Sequence, residues 1–395
     1  MRRRGYLDWA IGRFTTHRRR QSVKLKNLLR LGAYQILFLD RVPASAAVNE
    51  SVRLAKTLGE GAVGGFVNAV LRAMTRAETI PLPDPADDPV LHLSVQYSHP
   101  EWLIKRWLAR MGWDRTAALC DADNQIPPVT VRVNPLRTAR EALTTELKSA
   151  GIEVTSCRIS PAGLMLRGVA NLTELPAYQR GEFYIQDEAA QLIGFAVAPK
   201  TGERILDACA APGGKSTHLA ELMGDRGEVV AADADVKRLG RIIENAGRLG
   251  LSSVRPVTAD LTRDSAALGN RPCDRILVDA PCSGLGVLRR NPEAKWYKTE
   301  AVIKTMAERQ LKILETVAPT LKPGGVLVYS TCTTEPEENE EVVGAFLSRH
   351  PDFRPESLRS LWPDSGLVTP EGYLNTILNP YQMDHFFAAQ LIKGE

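Results

Sequence analysis

Long apolar runs are absent from the 395 residues. None approaches the ~18 residues of a membrane-spanning helix, so no membrane span is expected. The charged start Met1-Arg2-Arg3-Arg4 is followed by no apolar signal core, so no secretory leader is expected here. Cysteine is scarce: the six residues at 120, 157, 209, 273, 282 and 332 include no Cys-x-x-Cys pair and no Cys/His cluster. That spacing argues against a zinc site or a disulfide framework. No metal is expected, and free thiols fit a reducing, cytoplasmic compartment. Cys120, Cys157 and Cys273 read as small buried hydrophobes. Two phosphate-binding loops are missing as well. Neither Gly-x-x-x-x-Gly-Lys-Ser/Thr nor Gly-x-Gly-x-x-Gly occurs at the first strand-to-helix turn of the second half, which disfavours nucleoside triphosphates and dinucleotides. There is no internal repeat.

What is present begins with an uneven charge. The net charge of +4 divides into +10 for residues 1–80, with fifteen Lys and Arg against five Asp and Glu, and −6 for the rest. A basic region on a mildly acidic body suggests a polyanion-binding module beside a second domain. Length and a 44% hydrophobic content allow two or three domains with sizeable cores. Residues 1–80 carry apolar side chains at helical spacing, among them Leu25, Leu28, Leu29, Ala33, Ile36 and Leu37. Residues 81–126 form a linker with four prolines and three aspartates over 80–90, then a helical connector in which Trp102 and Trp107 read as core. Residues 127–180 change character. Val129-Thr130-Val131-Arg132-Val133 alternates like a strand, and a short helix over Glu141–Ala150 precedes further strands. This is a small α+β module.

From 181 to 395 strand and helix alternate. The expected strands are Arg204–Cys209, Glu228–Asp233, Val254–Asp260, Arg275–Asp279 and Val326–Tyr329, with helices at Ser216–Met223, Val236–Leu249 and Ala301–Leu321. This spacing predicts a mostly parallel sheet covered by helices on both faces. The first strand runs into Asp207-Ala208-Cys209-Ala210-Ala211-Pro212-Gly213-Gly214-Lys215. Such a small-residue turn lets a ligand approach the backbone and the helix terminus. Asp233 ends the second strand, where a carboxylate can accept bonds from ribose hydroxyls, and Asp260 ends the third. Acids at those two ends, with no diphosphate loop, suit S-adenosylmethionine; singly, each acid reads as a turn or cap residue.

The fourth strand stops at Asp279-Ala280-Pro281-Cys282, and the fifth runs into Ser330-Thr331-Cys332. In a sheet of order 3-2-1-4-5 the cofactor turn, Asp279, Cys282 and Cys332 share one edge. Two thiols and a carboxylate beside a methyl donor suggest covalent activation of an electron-poor ring. The residue pattern leaves open which thiol attacks. Thr334-Glu335-Pro336-Glu337 reads as a capping box opening a helix after Cys332.

Three stretches, 207–215, 279–286 (Asp-Ala-Pro-Cys-Ser-Gly-Leu-Gly) and 330–340 (Ser-Thr-Cys-Thr-Thr-Glu-Pro-Glu-Glu-Asn-Glu), resemble the NSUN-type RNA cytosine-5 methyltransferases, and within them the bacterial enzymes of 16S ribosomal RNA. Leu29–Gln35, Val42–Glu50 and Phe66–Arg72 are similar to a NusB-like RNA-binding domain, entered partway, as if its first helices lay upstream of Met1 or were trimmed. The resemblance implies an all-α NusB-like domain over 1–80 and a Rossmann-like class I methyltransferase domain over 181–395. It implies a cofactor loop of Cys209, Ala210, Ala211, Pro212, Gly213, Gly214 and Lys215, with Asp233 and Asp260 on the ribose and adenine side. Asp279 would face the methionine moiety and the target base, with Lys215 tuning its carboxylate. Cys332 would be the nucleophile, and Cys282 would assist product release. The implied substrate is a single-stranded or looped cytosine of 16S ribosomal RNA, for a monomer with no obligate protein partner. Methylation of another RNA, such as transfer RNA, or a non-catalytic assembly role are the competing readings. His385 stands where the family usually has Gly and reads as a tolerated loop residue.

Overall fold

The computed structural model describes residues 1–15, 21–169 and 171–395. Residues 16–20 of the expected helical region and Ala170 of the expected module lie outside the described residues. The chain divides into two compact units, Met1–Asn124 with Lys295–Tyr297, and Gln125–Ala294 with Lys298–Glu395.

The first unit is helical: α1 (Arg4–Arg13), α2 (Val23–Phe38), α3 (Ala44–Thr57), α4 (Gly64–Arg76), α5 (Pro89–Tyr97) and α6 (Glu101–Asn124). Ser22 caps α2 by accepting from the Leu25 amide, and Asp88 caps α5 by accepting from Leu91, with Pro89 at the first helical position. These caps satisfy amides that have no partner inside their helices. Leu28, Leu29, Val67, Val70 and Leu71 form the centre of its core. The helical stretch expected over 91–125 is broken twice, at left-handed Ser98 between α5 and α6 and at Gly112, where α6 kinks. Among the described residues no helix is long and apolar enough to cross a membrane.

The second unit holds two sheets. The smaller comprises β1 (Val129–Val133), β2 (Glu153–Ser156), β3 (Gly163–Arg167) and β4 (Phe183–Ile185), antiparallel in the order β2-β3-β1-β4, with α7 (Arg140–Ser149) and the short α8 (Pro176–Gln179). After α9 (Glu188–Val197) the chain alternates through β5 (Arg204–Asp207), α10 (Gly214–Leu222), β6 (Glu228–Asp233), α11 (Val236–Leu249), β7 (Val254–Thr258), β8 (Cys273–Asp279), α12 (Ala301–Val317) and β9 (Leu321–Thr331). It closes with α13 (Glu340–Arg349), β10 (Phe353–Glu356), β11 (Leu374–Asn375) and β12 (Phe387–Lys393).

The large sheet has the order β10-β12-β9-β8-β5-β6-β7, with β11 beside β12. Strands β5 to β9 are parallel and carry the expected 3-2-1-4-5 order. Two antiparallel strands, β12 and β10, extend it beyond β9 and were not expected from the sequence. Both faces are covered. Leu206, Val230, Ile276 and Val278 pack with Leu314 and Phe346 on one side, while Ile205, Val229, Leu277 and Val328 pack with Leu192 and Leu219 on the other. The alternation of neighbours between faces is the strand period of two, and double coverage explains why these strands are apolar throughout.

The helix expected over Ala301–Leu321 ends at Val317, because a single turn containing Pro319 leads directly into β9. The capping box expected at 334–337 does not form. The Thr334 hydroxyl donates to Glu335 Oε1 (2.9 Å), residues Pro336–Glu338 make one tight turn, and α13 starts at Glu340. Glu338 and Asn339 are drawn inward instead, where Asn339 bonds the Thr331 hydroxyl and the Thr333 carbonyl.

Candidate active site

Parallel strands bring their carboxyl ends to one edge. Asp207, Asp233 and Asp279 end β5, β6 and β8, and Cys332 follows β9 immediately. A cleft runs along this edge past Cys209, Asp233, Asp260, Asp279, Cys282 and Cys332, with about 770 Å³ of empty space including its open mouth.

The turn after β5 is built to approach. Gly213 has φ +101° and opens α10, and a side chain there would press on Ile242 of α11, so only glycine gives this close packing at low cost. Asp233 holds the turn, its carboxylate accepting from the Ala211 amide (3.1 Å) and the Asp235 amide (3.0 Å). Arg238 donates to the Ala211 carbonyl (2.6 Å). Asp260 accepts from the Thr262 hydroxyl (2.6 Å) and amide (3.2 Å), and these bonds hold its pKa below the ordinary carboxylate value. Both acids therefore shape their turns and still face the cleft. Asp207 is buried, accepts from the Ser216 hydroxyl (2.6 Å), and burial pushes its pKa up to about 7.

Lys215, one residue into α10, reaches across to Asp279 (Nζ to Oδ2, 2.6 Å), whose other oxygen accepts from the Ser330 hydroxyl (2.8 Å). Burial opposes the charge on Lys215, but Asp279 outweighs it and keeps the lysine pKa above its ordinary value. Three residues past Asp279, the Cys282 sulfur lies 3.4 Å from that of Cys332. The shared hydrogen, then burial and the neighbouring charges of Cys332 and Glu338, push the Cys282 pKa well above that of a free thiol. Cys209 lines the same cleft with a pKa raised by burial.

Of the residues expected at the site, Cys209, Ala211, Asp233, Asp260, Asp279, Cys282 and Cys332 line the cleft and Lys215 joins them through Asp279, whereas Ala210, Pro212, Gly213 and Gly214 belong to the turn without lining the cleft. Cys120, Cys157 and Cys273 lie apart from it, each buried. Among the described residues no group of three or more His, Cys, Asp or Glu gathers as a metal site.

Several supporting residues were not found from sequence. Arg132 on β1 is fully buried, pairing with Glu221 through two bonds (2.8 and 2.9 Å) and donating to Thr217 and to the Gly214 carbonyl (2.7 Å) beside Lys215. Its signal was a lone cation inside the apolar strand 129–133. Behind the cysteines, Arg289 and Arg290 both bond Asp384 and Asp187, while Asp187 also caps α9 and accepts from the Asp384 amide (2.9 Å). This clamp fixes the loop after Cys282 against residues 382–386. Gly286 bridges the two, donating to the Cys332 carbonyl (2.9 Å) and accepting from the His385 amide (3.0 Å), and a Cβ there would press on both carbonyls. His385 is buried, its Nδ1 is 3.1 Å from the Thr376 carbonyl, and burial lowers its pKa to about 4.

Residues 194–392 match the model of the 16S rRNA methyltransferase RsmB/F family. The chain is 40% identical to a probable ribosomal RNA small subunit methyltransferase B of Bacillus subtilis, over 98% of this chain and 87% of the relative. The chain belongs to the RsmB/F family. A ribosomal RNA small subunit methyltransferase B of Pseudomonas syringae is 39% identical over 93% of this chain and 80% of its own length. The crystal structure of PH0851 superposes with a TM-score of 0.82 at 30% identity, covering 93% of this chain and 82% of the other. Two further regions of this RsmB/F-family chain match models: residues 1–76 the NusB family, and 99–173 the RsmF/B-like ferredoxin-like domain. The expected fold class, a helical NusB-like region with a small α+β module and a Rossmann-like methyltransferase domain, is the one observed.

S-adenosylmethionine is the methyl donor of such a domain, and the cleft of this RsmB/F member fits it. Carboxylates at two adjacent strand ends match the hydroxyl and amine donors of a nucleoside, Ala208, Ala259, Leu261 and Ile313 supply apolar walls, and the paired Lys215 and Asp279 offer both signs of charge to an amino-acid end.

Proposed function

We propose that the protein methylates carbon 5 of a cytosine in 16S ribosomal RNA through a covalent adduct to Cys332. The observation that carries this reading is the pair of sulfurs 3.4 Å apart in the same cleft as Asp279 and Asp233. Carbon 5 of cytosine is a poor nucleophile. Attack of the Cys332 thiolate at carbon 6 makes it enamine-like. Asp279 carries a proton to ring nitrogen 3, where it absorbs the charge that attack places on the ring, and takes it back when the ring re-forms, while Lys215 keeps that carboxyl group oriented through its 2.6 Å bond. S-adenosylmethionine, held by the turn 209–214 with Asp233 and Asp260, supplies a methyl group made electrophilic by its sulfonium. Loss of the carbon-5 proton then lets the Cys332–carbon 6 bond break, with Cys282 assisting release. A base must leave its stack to enter such a cleft, which suits looped or single-stranded RNA. The basic region 1–80 and the module 127–180 hold the RNA backbone. A reducing compartment such as the cytoplasm keeps both thiols free.

Bisulfite sequencing of total RNA from cells lacking the protein tests the substrate. One cytosine of 16S ribosomal RNA should lose its protection. Loss at a transfer RNA position instead would move the activity to that RNA, and no loss anywhere would leave an RNA-binding role. Cys332→Ala should abolish both methyl transfer and RNA adducts, whereas Cys282→Ala should accumulate an adduct. The opposite pattern would exchange the two thiols.

A further inference from the structure

The two thiols share one site but not one environment. Glu338, on the tight turn between β9 and α13, is fully buried. Its Oε2 accepts from the Ser283 amide (2.8 Å) and from Gln310 Nε2 (3.0 Å), and its Oε1 accepts from the Thr333 hydroxyl (3.1 Å). Ser283 follows Cys282 and Thr333 follows Cys332, so one carboxylate ties the two cysteine loops together. The side chain of Gln310 is itself oriented: its amide nitrogen also donates to the Pro281 carbonyl (3.0 Å), and its oxygen accepts from the Tyr329 hydroxyl (3.0 Å). Two N–H donors, which cannot accept a proton, therefore converge on one carboxylate oxygen. Burial raises the Glu338 pKa above the ordinary carboxylate value, and these donors act the other way, favouring the ionised acid.

We infer that Glu338 is a positioning residue that keeps the proton of the thiol pair on Cys282 and leaves the negative charge to Cys332. This rests on the reading of Cys332 as nucleophile and adds what separates the roles of two neighbouring sulfurs. At 3.4 Å the pair holds one hydrogen between two sulfurs once the other proton has gone to solvent. A buried anion beside Cys282 disfavours a second anion there, and the Cys282 pKa is raised with Glu338 among its causes. On the other flank Lys215 lies close enough to Cys332 for a thiolate there to raise the lysine's own pKa. The remaining groups facing Cys282 do not reverse this gradient. Tyr329 is buried with a raised pKa, Asp279 is bound to Lys215, and Arg309 of α12 is exposed, where water and salt screen it. A thiol held protonated does not compete for carbon 6.

The test uses the full-length protein without RNA or methyl donor, so it stands or falls separately from the substrate assignment. Iodoacetamide is added over a pH series, and alkylation of Cys282 and Cys332 is followed separately by peptide mass spectrometry. In the unaltered protein Cys332 should react first; reaction of Cys282 first overturns the proposal with no variant needed. In Glu338→Gln, which keeps an acceptor but removes the charge, Cys282 should alkylate about tenfold faster near pH 8, the change that a downward shift of about one pKa unit gives. Glu338→Asp should keep the preference for Cys332. A Gln variant with unchanged near-ultraviolet circular dichroism and an unchanged ratio of the two rates would reduce Glu338 to a tie between loops, as would equal loss of selectivity in Gln and Asp.

Discussion

Two ion pairs meet on α10, and they are built in opposite ways. Arg132 and Glu221 are closed: both side chains are essentially inaccessible, two bonds join them, and the guanidinium spends its other donors on Thr217, Gln186 and the Gly214 carbonyl. Lys215 and Asp279 are open: a single 2.6 Å bond joins them, with side-chain exposures of 13% and 26%. A satisfied, buried pair has no capacity left for a ligand, and its value lies in holding parts together. A half-open pair keeps spare donors and acceptors facing the cleft, at the cost of contributing little to stability. The charge that shapes the site and the charge available to a substrate are thus carried by different pairs, one anchored at Lys215 near the start of α10 and the other at Glu221 near its end.

That contrast can be broken by mutation. Arg132→Met should have the largest effect on stability, about 3–5 kcal/mol, because it leaves Glu221 buried without its partner; urea unfolding measures it, and part of the loss should return when Glu221→Gln is added. A loss below about 1 kcal/mol would mean the closed pair is not a structural tie. His385, also on the closed side, should govern the acid limb. Its folded pKa of about 4 lies below the ordinary 6.5, so the unfolded chain binds more protons between those values. Its contribution is therefore complete above about pH 6.5 and lost as pH falls toward 4, an amount of about 3 kcal/mol. His385→Asn should flatten that part of the stability curve. Gly286→Ala should cost about 1–3 kcal/mol through overpacking against the two carbonyls, and methyl transfer should fall with it. Lys215→Met should change stability by less than about 1 kcal/mol, yet lower methyl transfer about a hundredfold or more. If stability and activity fell together there, the open pair would be as structural as the closed one.

The open features were the ones legible in sequence. Asp233, Asp260, Asp279, Cys282 and Cys332 each follow or end a short apolar run, and a parallel sheet of known order brings such ends together without further information. Their partners were hidden because they depend on tertiary placement. Arg132 meets Glu221 across 89 residues, and Arg290 meets Asp187 across 103; no local pattern announces either. Local rules misled at Thr334. Its spacing to Glu337 satisfies a capping box, but Glu338 and Asn339 gain stronger bonds by turning toward the cysteine loops, and the helix waits until Glu340. Strand β12 was missed for a related reason: Phe387, Ala388 and Ala389 are all buried, so covering both faces erased the alternation that marks a half-exposed strand.

Strand β12 also imposes an order in time. Phe387 pairs with Thr331, the residue before Cys332, and the adjoining Asp384 and His385 secure the loop of Cys282. All of them are translated more than 50 residues after Cys332. At ~5–20 residues per second during synthesis, the thiols leave the ribosome seconds before the chain that backs them. A nascent chain halted short of Asp384 would carry both cysteines and the whole cofactor turn, yet lack the wall against which the pair is set.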